Sequence, residues 1–123
     1  MTTLAMTKIA VRDLEAQEAF YEKVASFAVT QRVELPGFRE SIMTAVQGGG
    51  GGALVLKHEE GGEPLPGSTL LVFETEDIHA FAERLAAAGG SITRPIERVE
   101  GLGLSFAFFI DPEGNTQEVV EHH

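Results

Sequence analysis

The sequence contains no cysteine among its 123 residues. Disulfide bonds, thiolate nucleophiles, cysteine-based zinc sites and iron–sulfur clusters are therefore excluded. Positive charge is also scarce, since nine Lys and Arg residues stand against 19 Asp and Glu, giving a formal net charge of −10. A protein that binds nucleic acid needs a basic face, so we expect no nucleic-acid partner. The acidic balance serves solubility, and it would also attract a cationic ligand.

Long apolar segments are absent as well. The longest, GLGLSFAFFI at residues 101–110, is about half of what crosses a bilayer. The amino-terminal segment has no basic stretch followed by an apolar core, which an export signal would need. We therefore expect no membrane partner and a cytoplasmic protein.

Two segments carry the apolar spacing of an amphipathic helix. The first begins at Asp13 and runs to about Ser26, and the second begins at Asp77 and stops at Gly89–Gly90. Each opens with an aspartate that predicts an N-cap, and the glycine pair predicts a C-terminal end. The two aspartates are 64 positions apart, close to half of the chain. This spacing favours an internal structural duplication.

Segments with strand-like alternation surround both helices. They occupy residues 4–11, 28–35, 40–46 and 53–58 in the first half, and 69–75, 91–99, 104–110 and 115–120 in the second. The order predicts strand–helix–strand–strand–strand, twice. The glycine run at 48–52 predicts a hairpin loop, since no helix with a Lys–Ser pair follows it as a phosphate cradle would require. The turn-rich stretch 58–68 divides a single domain, 1–123, into modules of about 1–60 and 67–123.

Two motifs link this organisation to a known family. They are RDLEAQEAFYEKV at residues 12–24, which opens the first helix, and the turn DPEGN at 111–115 followed by Glu118. With them the chain resembles the vicinal oxygen chelate superfamily, which includes glyoxalase I, bleomycin-resistance proteins, fosfomycin-resistance enzymes and extradiol dioxygenases. The resemblance implies an α+β fold of two βαβββ modules whose curved mixed sheet forms a cup. It also implies a homodimer.

The resemblance further implies where a metal would be held. It places the family's ligand positions at Met6, Val55, Leu70 and Glu118. Only Glu118 can bind a divalent cation, which needs about three donors, so we predict no metal and no other cofactor. A two-residue shift of register would bring Lys8 or Glu74 onto these faces. A divalent metal held by His58 and Glu118 is the alternative.

The same resemblance, combined with strand alternation, predicts which residues line the cup. The predicted ligand-binding residues are Met6, Lys8, Val55, Leu70, Phe106, Phe108 and Glu118. Such an apolar and aromatic lining suits a hydrophobic small molecule oriented by a few polar groups. The alternative is that these side chains simply fill a small core.

Three roles are open to Glu118. If it is buried without a partner, its pKa would be raised and it could act as a catalytic general acid or base. If it pairs with Lys8 or Arg94, it would be a structural ion pair or would anchor a polar ligand group. If it points to solvent, it has no role. Arg94 and Arg98 lie in what reads as a loop, where they could steer an anionic substrate or be simply solvated.

The other histidines offer little chemistry. His79 is expected on the solvent side of the second helix, while His122 and His123 end the sequence and could be a purification-tag remnant.

Two functions from different classes follow. In the first, the protein binds an apolar or aromatic, conceivably cationic, compound without a metal, as bleomycin-resistance members do. In the second, it is a lyase, isomerase or dioxygenase that uses Glu118 as metal ligand or general base. If the protein's own side chains fill the cup, no ligand could enter, and the dimer would serve only as an interaction module.

Overall fold

A strand, a helix and three further strands recur twice along the chain. The computed structural model describes residues 1–46 and 51–123, which form two units, 1–65 and 66–123. The first unit contains β1 (Met6–Ala10), α1 (Leu14–Ala25), β2 (Phe27–Leu35), β3 (Phe38–Ala45) and β4 (Ala53–Glu59). The second contains β5 (Val72–Glu74), α2 (Ile78–Ala87), β6 (Ser91–Val99), β7 (Leu104–Ile110) and β8 (Thr116–His122). The predicted α+β class with two βαβββ modules is confirmed.

Each unit forms one four-stranded mixed sheet. The strand orders are β1-β4-β3-β2 and β5-β8-β7-β6. The first strand of each unit is parallel to the last, and all other pairs are antiparallel. The register aligns Lys8 with Val55 and Val72 with Glu118. Lys8 and Val72 are 64 positions apart, the same offset that separates the two helix-opening aspartates, so the duplication extends to strand register.

Both predicted helix starts are confirmed. Asp13 Oδ1 accepts the Ala16 N–H at 3.0 Å, and Asp77 caps α2 in the same way through the N–H groups of His79 and Ala80. These bonds satisfy amide donors that the first helical turn leaves unpaired. The helix α2 ends where Gly89 adopts φ +87°, a left-handed conformation that glycine reaches without strain.

The core of each unit lies between the helix and one face of the sheet. Ser41 Oγ of β3 donates to Glu18 of α1 at 3.1 Å. In the second unit the ring centroids of Phe109 in β7 and Phe81 in α2 are 5.2 Å apart. Because successive strand residues point to opposite faces, neighbours such as Phe108 belong to the other face. We call it the helix-free face.

Two expectations about loops have different outcomes. Residues 47–50, most of the predicted glycine hairpin, lie outside the described residues. The segment around Arg94 and Arg98 was assigned both to a strand, 91–99, and to a loop, and the strand is correct, because both residues lie in β6. Pro95 is compatible with β6 because β6 is an edge strand, where a missing N–H is tolerated. The β6–β7 register is irregular between Arg94 and Glu97.

No helix in the described part of the chain is long and apolar enough to cross a membrane.

Candidate functional site

The DPEGN turn sets the position of β8. Asp111 is buried, and its Oδ1 accepts the N–H groups of Glu113 at 2.9 Å and Asn115 at 3.0 Å. Its Oδ2 accepts a third hydrogen bond, from the Asn115 side chain at 2.9 Å. Gly114 has φ +86°, which favours glycine. The turn therefore holds β7 and β8 in a register that places Phe108 opposite Glu118.

The helix-free face of the second sheet carries two rows of side chains, and each row crosses all four strands. Residues that are register partners point to the same face. One row runs Val72, Glu118, Phe108 and Arg94, from β5 to β6. The other runs Glu74, Val120, Phe106 and Glu97. The central strands β8 and β7 thus contribute Glu118, Val120 and two phenylalanines to this face, and the edge strands contribute Val72, Glu74, Arg94 and Glu97.

Glu118 is half-buried in the first of these rows. Its backbone N–H donates to the Leu71 carbonyl at 2.8 Å. Its carboxylate makes no hydrogen bond or ion pair with the described residues of its unit. The neighbouring residue shows the contrast, because Gln117 points to the α2 side and its Oε1 accepts the Leu71 N–H at 2.6 Å.

Arg94 stacks on the aromatic pair instead of binding Glu118. Its Cζ lies 5.0 Å from the Phe106 ring centroid and 5.9 Å from that of Phe108, and the two rings are 5.8 Å apart. Its Nη2 donates to Glu97 Oε2 at 3.1 Å. The pairing of Glu118 with Arg94, which was one of the roles considered for Glu118, is therefore not formed. Alternation could not locate Arg94, because a register shift between Ile92 and Arg94 places Arg94 opposite Phe108, while Ile92 is opposite Phe109.

The first unit carries a different polar group on its helix-free face. Lys8 is opposite Val55, and Lys8 Nζ binds Glu40 Oε2 at 3.1 Å. Glu40 is buried, as is Val55. Lys8 was considered as a partner of Glu118, but it is engaged with this carboxylate. The sequence analysis did not identify Glu40. Glu40 and Ile42 are two positions apart in β3 and therefore point to the same face, and Ile42 is opposite Val55.

The remaining predicted residues are apolar and exposed. Met6 begins β1, where it is opposite Ala53, so it shares a face with Lys8. Leu70 precedes β5 and is not part of the sheet. Met6 is 40% exposed and Leu70 51%. Neither offers a hard oxygen or nitrogen donor.

The donor set does not fit a divalent metal. The register makes Val55 the internal counterpart of Glu118, so the position that carries a carboxylate in one unit carries an isopropyl group in the other. Within each unit, the described residues include no group of three His, Asp or Glu side chains close enough to share an ion. His58 donates from Nδ1 to the Val11 carbonyl at 3.0 Å. By alternation it lies on the α1 side of β4, away from the face of Val55.

A family model matches almost the whole chain. The model of the glyoxalase/bleomycin resistance protein/dioxygenase superfamily matches residues 3–119. A lactoylglutathione lyase from Haemophilus influenzae is 26% identical over an alignment of 121 residues, and the match covers 94% of this chain and 90% of that protein.

Solved structures show the same fold. Glyoxalase I from Zea mays superposes with a TM-score of 0.80 at 22% identity, and the match covers 96% of this chain and 45% of the maize chain. TnmS3, an antibiotic binding protein from Streptomyces sp. CB03234, gives 0.79 at 23% identity and covers 100% and 98%. This chain therefore spans a little under half the length of the maize protein and almost the whole of TnmS3.

Proposed function

The chain belongs to the glyoxalase/bleomycin resistance protein/dioxygenase superfamily, and we propose that within it the protein binds an apolar or aromatic small molecule without a metal. The helix-free face of the second sheet provides the binding surface, through Phe106, Phe108 and Glu118 of the residues predicted to line the cup. The other predicted residues are Met6, Lys8, Val55 and Leu70, of which Val55 is buried.

One observation carries this proposal. Three of the four positions at which the family resemblance places metal ligands are Met, Val and Leu. A thioether and two hydrocarbon side chains cannot replace the oxygen and nitrogen ligands that hard or borderline cations prefer. Of these three side chains, Met6 and Leu70 are exposed and suited to apolar contact, whereas Val55 is buried.

The exposed apolar surface of the second unit supports the proposal that it binds a ligand. Val72 is 58% exposed in the row that also contains Glu118 and Phe108. Exposed apolar surface beside aromatic rings is unfavourable in water and is typical of a binding surface. A ligand that covers Val72 and the rings would remove this surface from water.

Titration with 4-phenyl-1-butanol, followed by amide chemical shifts, tests this proposal. We expect saturable shifts concentrated in β5, β7 and β8, because the ligand would lie against their shared face. The Val72→Asp substitution should weaken binding, while Val46→Asp, at an equally exposed valine (62%) outside the strands, should not. Shifts that are scattered or do not saturate, or equal effects of the two substitutions, would contradict the proposal.

A second candidate function is catalysis. It is favoured by the 26% identity to a lactoylglutathione lyase and by the Glu118 carboxylate, which has no partner in its own unit. In this case Glu118 acts as metal ligand or as general base. An assay of lactoylglutathione lyase activity, without and with added Zn²⁺ or Ni²⁺, tests it. Turnover that the Glu118→Gln substitution abolishes would favour catalysis over binding, and turnover that it leaves unchanged would contradict this role of Glu118.

We also propose that two copies of this chain associate. The maize glyoxalase I chain is about twice as long, so a second copy would supply the modules that the longer chain carries itself. Each sheet has two edge strands with unpaired backbone groups, and association is a common way to cover such edges.

A further inference from the structure

A cationic side chain of the protein itself rests on the aromatic part of the helix-free face. The guanidinium of Arg94 lies 5.0 Å from the Phe106 centroid and 5.9 Å from that of Phe108. The face of an aromatic ring is electron-rich and attracts a cation within about 6 Å of its centroid. Two rings contacting one guanidinium therefore mark a place on this surface where positive charge is favoured.

A carboxylate without a partner in its unit stands beside this place. Glu118 is the register partner of Phe108, one strand away at a spacing of about 4.8 Å. Arg94 does not use this carboxylate, since it donates to Glu97 on the other side of the rings. A cation above Phe108 would thus be attracted by both the ring and the free carboxylate.

We propose that Phe106, Phe108 and Glu118 form a cation subsite, which takes the ammonium or guanidinium group of an otherwise apolar ligand. In the absence of ligand, Arg94 occupies the aromatic part of this subsite. The inference rests on the binding function proposed above, and it adds the charge of the ligand and the side chain that competes with it.

Arg94 can leave this position at little cost. Its side chain is 55% exposed and that of Glu97 is 53% exposed. An ion pair between side chains this exposed is worth little in water, so the guanidinium can turn outward and stay solvated. A ligand amine would make the cation–π contacts with the two rings that Arg94 leaves, and it would also be attracted by the Glu118 carboxylate.

Three probes that share a phenyl ring on a four-carbon chain and differ in their head group, which is cationic, neutral or anionic, test the proposal. They are 4-phenylbutylamine, 4-phenyl-1-butanol and 4-phenylbutyrate, titrated by calorimetry into the full chain at the same ionic strength. The alcohol reports apolar binding alone. We expect the amine to bind about two- to tenfold more tightly than the alcohol, and the acid to bind most weakly.

Two pairs of variants separate the subsite from the general negative charge of the protein. Arg94→Gln removes the competing cation and should strengthen amine binding about two- to fivefold. Arg98→Gln is the matched control, because Arg98 also lies in β6, is 55% exposed and pairs with a nearby glutamate. Glu118→Gln should weaken amine binding about two- to fivefold with little effect on the alcohol. Glu83→Gln, on the exposed side of α2, controls for the lost charge and should have no effect.

Each other outcome overturns the inference in an identifiable way. If amine and alcohol bind equally, the cation subsite is wrong and apolar binding stands. If the acid binds most tightly and Arg94→Gln weakens it, Arg94 is an anchor for anions and the inference is wrong. If none of the three probes saturates, the inference and the proposed binding function both fail.

Discussion

Gln117 and Glu118 are neighbours in β8 with opposite environments. Gln117 is fully buried on the α2 side and accepts a 2.6 Å hydrogen bond from the Leu71 N–H. Glu118 is half-buried on the helix-free face, and its carboxylate has no partner among the described residues of its unit. Burial of a polar group without a partner is unfavourable. The first side chain therefore stabilises the fold, whereas the second is explained better by a ligand.

The same substitution at both positions tests this difference. Gln117→Leu should lower the free energy of unfolding by about 1–3 kcal/mol, because the fully buried amide of Gln117 is lost and the Leu71 N–H loses its acceptor. Glu118→Leu should change it by less than about 0.5 kcal/mol or stabilise slightly, since no contact within the unit is lost. Urea denaturation measures both values. A loss at Glu118 as large as that at Gln117 would show that Glu118 is structural.

The carboxylate of Asp111 is expected to matter for stability and not for ligand contact. Asp111→Ala removes three hydrogen bonds that a buried carboxylate accepts and should lower stability by about 2–4 kcal/mol. Asp111→Asn keeps an oxygen that can accept the Glu113 and Asn115 N–H groups, so its loss should be smaller. Thermal denaturation compares the two. Equal losses would mean that the acceptor geometry of the turn is not what stabilises it.

At the scale of elements, α1 is held to its sheet by two ion pairs that differ in burial. Glu18 is buried and contacts Arg32 Nη1 at 2.7 Å and Ser41 Oγ at 3.1 Å. Its hydrogen bond raises the pKa of Arg32. Glu15 is exposed and accepts a hydrogen bond from Arg39, which lowers the pKa of the Glu15 carboxyl.

These two pairs should contribute unequally. Glu18→Gln should lower stability by about 1–3 kcal/mol, because a buried charged hydrogen-bond acceptor is lost. Glu15→Gln should lower it by about 0.2–1 kcal/mol at neutral pH, since its pair is exposed. The lowered pKa means that the Glu15 contribution is present above the ordinary glutamate pKa and is lost as the pH falls through the lowered value. Urea denaturation from pH 7 to pH 3 checks this. A Glu15→Gln effect that grows on acidification would contradict it.

Local signals predicted the elements well. The limits of β7 agree with the sequence pattern at both ends, and both helices begin directly after the predicted capping aspartates. The predicted strand 69–75 is shorter in the structure, where β5 spans only Val72–Glu74. Pairing with β8 decides the length of β5, and a sequence pattern cannot show where a distant strand ends.

The side-chain partners were harder to predict than the elements. Lys8 binds Glu40, 32 positions away, and the choice between Glu40 and another acid depends on strand order and register. Arg94 reaches the phenylalanine rings because the register of β6 shifts between Ile92 and Arg94. Alternation assigns a face to a residue, but it does not determine which neighbour on that face is within bonding distance.

At the scale of the whole molecule, the two units share one architecture but differ in the side chains at equivalent positions. The two sheets share their strand order and register, yet Val55 stands in one where Glu118 stands in the other. The fold is retained because packing between helix and sheet does not depend on these positions. The side chains on the helix-free face can therefore differ between the two units without loss of the fold.

The proposed association of two copies is tested by light scattering during gel filtration. We expect a mass twice the 13.2 kDa of the chain at micromolar concentration, because a second copy supplies the modules that a double-length relative contains. A mass of one chain across the accessible concentration range would contradict the proposal.

The most direct test of metal-free binding is a calorimetric titration of 4-phenyl-1-butanol into the protein before and after exhaustive dialysis against EDTA. Metal content is measured on both samples by elemental analysis. We predict saturable binding with the same Kd in both, since apolar contacts with the helix-free face of the second sheet do not need an ion. Binding that is lost after dialysis and restored by one equivalent of a divalent metal would contradict the account and identify a metal-dependent protein.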